Sequence, residues 1–400
     1  MLLERFLKYV KIDTMSSEDT NTTPSTKKQF DLAYVLLEEL KQLGLKDIKL
    51  TDNCILTATL PKNTNKDSYT IGFIAHMDTI PGFSGTNVNP QVIENYDGNT
   101  IELKNNVALN PNQFPFLNNL KGKTLITTDG TTVLGADDKA GVAIIMDMLE
   151  YFVTHPEVEH TTIKVAFTPD EEIGGGIDSF DVNEFGADFA YTVDGGEYNQ
   201  INYENFNAAS AVVNINGLDI HPGSAKGQMI NAVSVACEFE MMLDQNKKPM
   251  YTEGYEGFNH LCDLEGNVTN AKMYYIIRNH DKNELENQKQ SFVTITEKLN
   301  EKYGNNVVEL KLIDGYSNMA EYIKKDPKSV EYAINAMHKL GINEVIEPIR
   351  GGTDGAKLTL KGLNTPNLGT GGYNCHGPYE FACLEEMQIV VDIVKEIAKL

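Results

Sequence analysis

Apolar residues along this chain follow two spacings, one typical of buried strands and one typical of amphipathic helices. Compact apolar runs at residues 69–75, 162–168 and 187–193 predict strands that are buried on both faces. Apolar residues three and four positions apart, as in residues 142–153, predict helices between these strands. Strands that alternate with helices are typical of an α/β domain in which helices sandwich a mixed, mostly parallel sheet.

A different pattern occupies the middle of the chain, where the predicted order is strand, helix, strand, strand, helix, strand. This βαββαβ order is typical of a small α+β domain with a sheet of its own. Residues 207–317 are therefore predicted to form a smaller domain that is inserted into a larger one. The larger domain is expected to comprise residues 1–206 and 318–400, and a chain of 400 residues is long enough for both.

Charge and composition restrict the partners of the protein. The net charge of −23 would repel nucleic acids and anionic membranes, so neither is expected to bind. No apolar run approaches the roughly 20 residues of a membrane span, and charged residues interrupt residues 1–11, so no signal peptide is expected. The five cysteines are scattered and odd in number, which favours reduced thiols in a cytoplasmic protein.

Acidic residues and histidines end or follow several of the predicted strands. These residues are His76, Asp78, Asp137, Asp138, Asp170, Glu171, Glu172, Asp194 and His376. Each type is common at a turn or a helix start, where it has a structural role. Ligands of α/β sheets bind beyond the carboxyl ends of the strands, so we expect these side chains to converge at one sheet edge. Their joint occurrence favours a functional site.

The chemistry of these side chains suits a metal-dependent hydrolase. Zinc takes imidazole and carboxylate ligands, and two zinc ions can share a bridging carboxylate. The candidate ligands are His76, Asp137, Glu172, Asp194 and His376. Metal ions lower the pKa of a bound water to about 7, which makes it a nucleophile at neutral pH. Glu171 then remains free as the general base, and Asp78 is expected to hydrogen-bond the far nitrogen of His76.

Motifs throughout the chain carry a resemblance to a known family. The segments that carry it are Ile74–Thr79, Leu134–Gly141, Thr168–Gly174, Thr192–Gly196, Glu204–Ala209, His221–Gly227, Ile349–Gly355 and Asn367–Gly377. Together they resemble the peptidase T family, cytoplasmic tripeptide aminopeptidases among the co-catalytic di-zinc exopeptidases. The resemblance implies the zinc-exopeptidase fold, with the inserted domain as a lid or dimerisation domain. It also implies small peptides as substrates and a monomer or homodimer.

The resemblance further implies two Zn²⁺ ions per chain, for which Mn²⁺ or Co²⁺ can substitute. One ion is expected to be held by His76, Asp137 and Asp194. The second is expected to be held by Asp137, as a bridge, together with Glu172 and His376. In this family the peptide bond after the bridging aspartate is cis, and the acid before the glutamate ligand is the general base.

The resemblance assigns substrate contacts to the smaller domain. His221 is implied to steady the oxyanion of the tetrahedral intermediate, and Arg278 and Arg350 to hold the carboxylate end of the peptide. Asn231 is a further expected contact. His221 can reach the metal ions only if the domains close or another chain supplies it, so domain motion is expected.

The predicted reaction is hydrolysis of the first peptide bond of a tripeptide. One alternative is a related di-zinc enzyme, such as a carboxypeptidase, a dipeptidase, or an aminoacylase or deacylase. The match over residues 204–227 favours peptidase T over these. Another alternative is a metal-dependent binding protein without turnover, but such a protein needs the ligands and not the base Glu171.

Overall fold

The structure is a computed structural model that describes residues 1–400. It divides into two compact units. Unit 1 contains Met1–Tyr203, Glu321–Glu347 and Thr353–Leu400, and unit 2 contains Glu204–Ala320 and Pro348–Gly352. The main borders lie within a few residues of the expected ones, whereas Pro348–Gly352 was expected in the larger domain.

Strands and helices alternate through most of the chain. The strands are β1 (Lys46–Leu50), β2 (Leu56–Leu60), β3 (Ile71–His76), β4 (Gln91–Ile93), β5 (Ile101–Glu102), β6 (Ala108–Leu109), β7 (Leu125–Thr127), β8 (Ile163–Thr168), β9 (Phe189–Val193), β10 (Gln200–Asn202), β11 (Asn207–Asn216), β12 (Phe258–Gly266), β13 (Asn270–Asn279), β14 (Val308–Asp314), β15 (Val345–Ile346), β16 (Asn367–Leu368), β17 (Gly372–Tyr373) and β18 (Phe381–Cys383). The helices are α1 (Leu2–Val10), α2 (Gln29–Gln42), α3 (Ala136–Thr154), α4 (Val182–Phe185), α5 (Ala232–Met242), α6 (Lys282–Tyr303), α7 (Ala320–Ile323), α8 (Lys328–Lys339), α9 (Asp354–Leu360) and α10 (Leu384–Ala398). No helix combines the length and the apolar character that a membrane span requires.

An eight-stranded mixed sheet forms the centre of unit 1, in the order β1-β2-β8-β3-β9-β16-β10-β15. Strand β3 is buried along its whole length and runs parallel to both neighbours, β8 and β9. Helix α3 packs against β3 and β9, while Ile74 of β3 packs with Phe185 of α4 and Leu358 of α9. The compact apolar runs therefore form the central strands, and the mixed α/β class is confirmed.

A second, antiparallel sheet of unit 1 has the order β17-β18-β7-β4. Strand β7 precedes Asp137, and β17 precedes His376. The expectation that all candidate ligands follow strands of one sheet is therefore wrong for these two residues. The three residues of β7 pair with β18 and β4, which lie far away in the sequence, and a local apolar pattern does not identify such partners.

Unit 2 contains an antiparallel sheet in the order β12-β13-β11-β14. Helices α5 and α6 pack against β11 and β13, and their Phe239 and Phe292 form a buried core with Tyr275. Residues of β13 alternate between buried and exposed, so only one sheet face carries the helices. The predicted βαββαβ order is confirmed.

The short segment Pro348–Gly352 joins unit 2 through backbone and side-chain contacts. Ile349 forms a β-bridge with Asn205, and its carbonyl oxygen lies 3.1 Å from Nε2 of His280. The Arg350 guanidinium stacks over the ring of Phe206 at 5.1 Å. The partners of Ile349 and Arg350 lie 69 or more residues away in the sequence. The local sequence around Arg350 therefore did not indicate these contacts.

The start of α3 lies unusually close to the end of β9. A Cβ atom on Gly141 would lie 1.8 Å from the carbonyl oxygen of Val193 and 2.5 Å from Oδ1 of Asp138. Only glycine leaves room for this approach, which brings the residues before α3 beside Asp194. Gly141 therefore positions two of the candidate ligand segments, those of Asp137 and Asp194.

We expect Gly141→Ala to lower the free energy of unfolding by about 1–3 kcal/mol, as overpacking does. Helix propensity alone would raise the free energy of unfolding by about 1 kcal/mol. The sign of the measured change therefore distinguishes overpacking from helix propensity. Urea denaturation measures the change. The control is Gly82→Ala, because a Cβ atom there meets nothing within 4 Å. A Gly141→Ala protein as stable as wild type would contradict the close contact.

Candidate metal centre

The five predicted ligand side chains meet in unit 1 and form two groups. Nε2 of His76 lies 2.9 Å from Oδ1 of Asp137 and 3.7 Å from Oδ1 of Asp194. Nε2 of His376 lies 3.2 Å from Oδ2 of Asp137 and 3.1 Å from Oε2 of Glu172. In each group all potential ligand atoms lie within 4.8 Å of one another. The two groups share Asp137, as a bridging ligand requires.

Strand ends and irregular turns present these ligands. His76 is the last residue of β3, and Asp194 directly follows β9. Glu172 lies in a single turn of 3₁₀ helix that follows β8. Asp137 has non-helical backbone angles at the start of α3, and the peptide bond after it is cis. His376 adopts a left-handed backbone conformation, with φ of 72°.

No lysine or arginine is paired with the carboxylates around these histidines. The acids in question are Asp78, Asp137, Asp138, Glu171, Glu172 and Asp194. Most of their hydrogen bonds and ion pairs involve histidines and backbone amides, and none involves a lysine or an arginine. Burying carboxylates without compensating charge is costly. The donor set of imidazoles and carboxylates therefore fits divalent metal ions.

Burial and mutual interactions shift the proton affinities of these groups in different directions. Burial raises the pKa of Glu171 well above its usual range, and the nearby Asp354 and Asp194 raise it further. Burial opposes ionisation of Asp137 as well, but hydrogen bonds to His376 and His76 lower its pKa. In turn, hydrogen bonds to Asp137 and Glu172 raise the pKa of His376 to about 10. Asp137 thus stays ionised, while Glu171 binds a proton more tightly than an ordinary carboxylate does.

Asp78 contacts the far nitrogen of His76, where the sequence predicted it. Its backbone carbonyl oxygen lies 3.1 Å from Nδ1 of His76, and its Oδ1 lies 3.3 Å from the same nitrogen. The same carboxylate accepts hydrogen bonds from the backbone amides of Glu171 (2.9 Å) and Glu172 (3.3 Å). Asp78 therefore orients the imidazole and also holds the turn that carries the predicted base.

Three further acids have contacts in this region that the sequence did not predict. Asp138 accepts a hydrogen bond from the backbone amide of His76. Asp170 accepts hydrogen bonds from the Ser25 backbone amide and from Gln29. Glu380 is buried and accepts hydrogen bonds from three backbone amides at the start of α3, those of Leu134, Gly135 and Asp137. The first two acids were among the residues expected at the site, but without these contacts, and Glu380 was not among them.

The residues that were predicted to contact the oxyanion and the substrate lie in unit 2. Nδ1 of His221 accepts a hydrogen bond from the backbone amide of Gly223 (3.1 Å), which leaves the proton of the neutral ring on Nε2. Oδ1 of Asn231 caps α5 by accepting from the amides of Val233 and Ser234. Asn231 therefore has a structural role, which the usual helix-cap signal indicates.

The two arginines of unit 2 also have structural contacts. Nη1 of Arg278 donates to the carbonyl oxygens of Ala209 and Ile277, each at 3.0 Å. Nη1 of Arg350 donates to the carbonyl oxygens of Gly254 and Glu256, each at 2.8 Å. These bonds fix the direction of both guanidinium groups.

Comparisons of the sequence with known proteins identify the family of the chain. The model of peptidase family M20/M25/M40 matches residues 133–400. The chain belongs to this family. Peptidase T of Alkaliphilus oremlandii is 53% identical over 403 residues, which cover 100% of this chain and 98% of that protein. The resemblance to the peptidase T family is therefore confirmed.

Two solved structures share the fold over nearly the full length. A tripeptidase from Staphylococcus aureus has a TM-score of 0.79 at 22% identity, with 100% of this chain and 97% of that chain covered. An aminopeptidase from Bacillus cereus has a TM-score of 0.78 at 23% identity, with 99% of this chain and 97% of that chain covered. At these identities the similarity supports the fold alone.

Proposed function

We propose that this protein is a metallo-aminopeptidase that removes the N-terminal residue of tripeptides. The observation that carries the proposal is the pair of histidine–carboxylate groups that share Asp137. The 53% identity to a peptidase T over the whole chain supports the same activity. The names of the two structural neighbours, a tripeptidase and an aminopeptidase, agree with it.

The proposed cofactors are two divalent ions, Zn²⁺ by ligand chemistry, with Mn²⁺ or Co²⁺ as possible replacements. His76, Asp137 and Asp194 would hold one ion, and Asp137, Glu172 and His376 would hold the other. Such ions polarise a carbonyl group and lower the pKa of water, so that water attacks at neutral pH.

Side chains of the protein carry out the proton transfers in this proposal. Glu171 accepts the proton of the attacking water and delivers it to the departing amine. Asp78 supports this role because it holds the backbone amide of Glu171. The Nε2 proton of His221 would donate to the oxyanion, while Arg278 and Arg350 would bind the carboxylate end of the peptide. Binding both ends would limit the length of the substrate.

The cellular setting belongs to the same proposal. All five cysteines are free, as is usual in the reducing cytoplasm. We therefore propose a cytoplasmic protein that acts on small peptides as a monomer or homodimer. Its net charge of −23 disfavours nucleic acids and anionic membranes as partners.

A panel of substrates tests the proposed activity. We expect the metal-loaded protein to release only the N-terminal residue from unblocked tripeptides, because the site would bind both ends of a short chain. Dipeptides and N-acetylated amino acids, assayed side by side by chromatography of the products, are expected to react far more slowly. Preference for N-acetylated substrates would instead identify an aminoacylase or deacylase.

A second prediction separates the base from the ligands. We expect Glu171→Ala to retain its metal content and to lose activity by at least ~10²-fold, as loss of a general base implies. Glu172→Ala, one residue further along, is the matched variant and is expected to lose metal. Metal analysis and the tripeptide assay measure both effects. An active Glu171→Ala enzyme would remove the assignment of the base.

A third prediction concerns the histidine of unit 2. We expect His221→Ala to lower kcat by about 10²–10³-fold, as loss of an oxyanion donor does, without release of metal. His260→Ala, in β12 of the same unit, is the control and is expected to leave kcat unchanged. Steady-state kinetics and metal analysis provide the comparison. Loss of metal from His221→Ala would show that His221 is a ligand.

A further inference from the structure

Acids beside the candidate ligands accept hydrogen bonds from the backbone of neighbouring ligand segments. Asp138, next to Asp137, accepts from the backbone amide of His76 at 3.2 Å. Asp78, two residues after His76, accepts from the backbone amides of Glu171 and Glu172. Each of these carboxylates thus links the segment that carries it to the next one. The metal-ligating side chains themselves do not form these links.

Glu380 forms the corresponding link between the segments of His376 and Asp137. Its Oε2 accepts hydrogen bonds from the backbone amides of Leu134 (2.7 Å) and Gly135 (2.8 Å). Its Oε1 accepts a hydrogen bond from the backbone amide of Asp137 at 3.0 Å. The residue is only 1% exposed, so water does not replace these bonds. Both carboxylate oxygens therefore form hydrogen bonds with the segment of Asp137.

The backbone before α3 explains why an acceptor is needed there. Gly135 has a left-handed conformation with φ of 78°, and Asp137 has non-helical angles, so this segment precedes the regular helix. Amides at such a helix start have no carbonyl partner within the helix. A buried N–H without a partner is costly, and a carboxyl group offers two oxygens that can accept. Glu380 supplies three such bonds at once.

Glu380 is also tied to the segment of His376. Its own backbone amide donates to the carbonyl oxygen of Gly377 at 3.2 Å, which forms a turn directly after His376. The two ends of the residue therefore contact the segments of two different ligands. Nε2 of His376 and Oδ2 of Asp137, the atoms that would share an ion, lie 3.2 Å apart.

We propose that Glu380 is a positioning residue for the metal centre. It fixes the backbone of Asp137 relative to His376 and so maintains the spacing of the second ion site. This inference rests on the proposed metal centre. It adds a residue that bonds to backbone amides, outside the five ligands and the base.

A nearby acid provides a matched control. Glu386 is 2% exposed, as deeply buried as Glu380, and lies in the following helix, α10. Its carboxylate bonds to Nζ of Lys123 and to the hydroxyl of Tyr373. It does not bond to the backbone of a ligand segment. If Glu380 only stabilised the fold, substitutions of Glu380 and Glu386 would have similar effects on metal affinity.

The experiment compares Glu380→Gln, Glu380→Asp and Glu386→Gln in the full-length protein. Glutamine has one acceptor oxygen and two N–H donors, so its amide must face backbone N–H groups of the Asp137 segment. Metal affinity is measured by competition with a chromogenic chelator, and site geometry by the absorption spectrum of the Co²⁺-loaded protein. Thermal unfolding of the metal-free proteins reports stability separately.

We expect Glu380→Gln to weaken the binding of at least one ion by about 10–100-fold and to alter the Co²⁺ spectrum, as loss of an outer-shell partner does. Saturating metal should restore part of kcat, with KM for tripeptides unchanged. Glu380→Asp keeps a carboxyl group with two oxygens, so it should fold and lose less affinity. Glu386→Gln is expected to bind metal like wild type.

Wild-type affinity and spectrum in both Glu380 variants would overturn the positioning role. An equal loss of affinity in Glu386→Gln would also overturn it, because the effect would then reflect general stability. A wild-type protein that binds metal but hydrolyses no peptide would overturn the proposed function alone. The comparison of affinities does not depend on the substrate.

Discussion

Burial of several carboxylates in a small volume is the constraint on which this site depends. Taking a carboxylate out of water is costly unless hydrogen bonds and opposite charge compensate for it. In this protein backbone amides supply the hydrogen bonds, and histidines together with divalent ions would supply the charge. The acids divide accordingly into two classes. Asp137, Glu172 and Asp194 face histidines, whereas Asp138 and Glu380 accept from amides, and Asp78 does both.

The fold creates the free amides that the second class needs. The parallel strands β3, β8 and β9 end at the same edge of the sheet, and the chain turns sharply after each of them. Such turns expose N–H groups that no strand or helix satisfies. An acid on the adjacent turn is a suitable partner because it bonds to several amides at once. The turn after β8 thus holds the candidate ligand Glu172 and the amides that bond to Asp78, whereas the amides that bond to Glu380 follow β7 of the other sheet.

Sequence reasoning succeeded for features encoded locally. The apolar run of β3 ends at His76, and the ligand types follow strands at recognisable motifs. It failed where distant segments decide the structure, as in the antiparallel pairing of β7 with β18. The partners of Glu380 belong to the same class, because nothing near residue 380 shows that amides over 200 residues away lie against it. Asn231 is a different case, because it was expected to contact the substrate and its side-chain oxygen caps α5.

The division between the two classes of acids pre-organises the ligand segments for metal binding. Amide-bonded acids fix the backbone of the ligand segments, so the ligand atoms converge through the protein's own hydrogen bonds. A cation that enters such a site spends little binding energy on ordering the chain. Its contribution is to relieve repulsion among Asp137, Glu172 and Asp194, which the histidines offset only in part. Geometry would then come from the backbone and charge balance from the metal. The choice among divalent ions is consequently left to ligand chemistry and to the ions that are available.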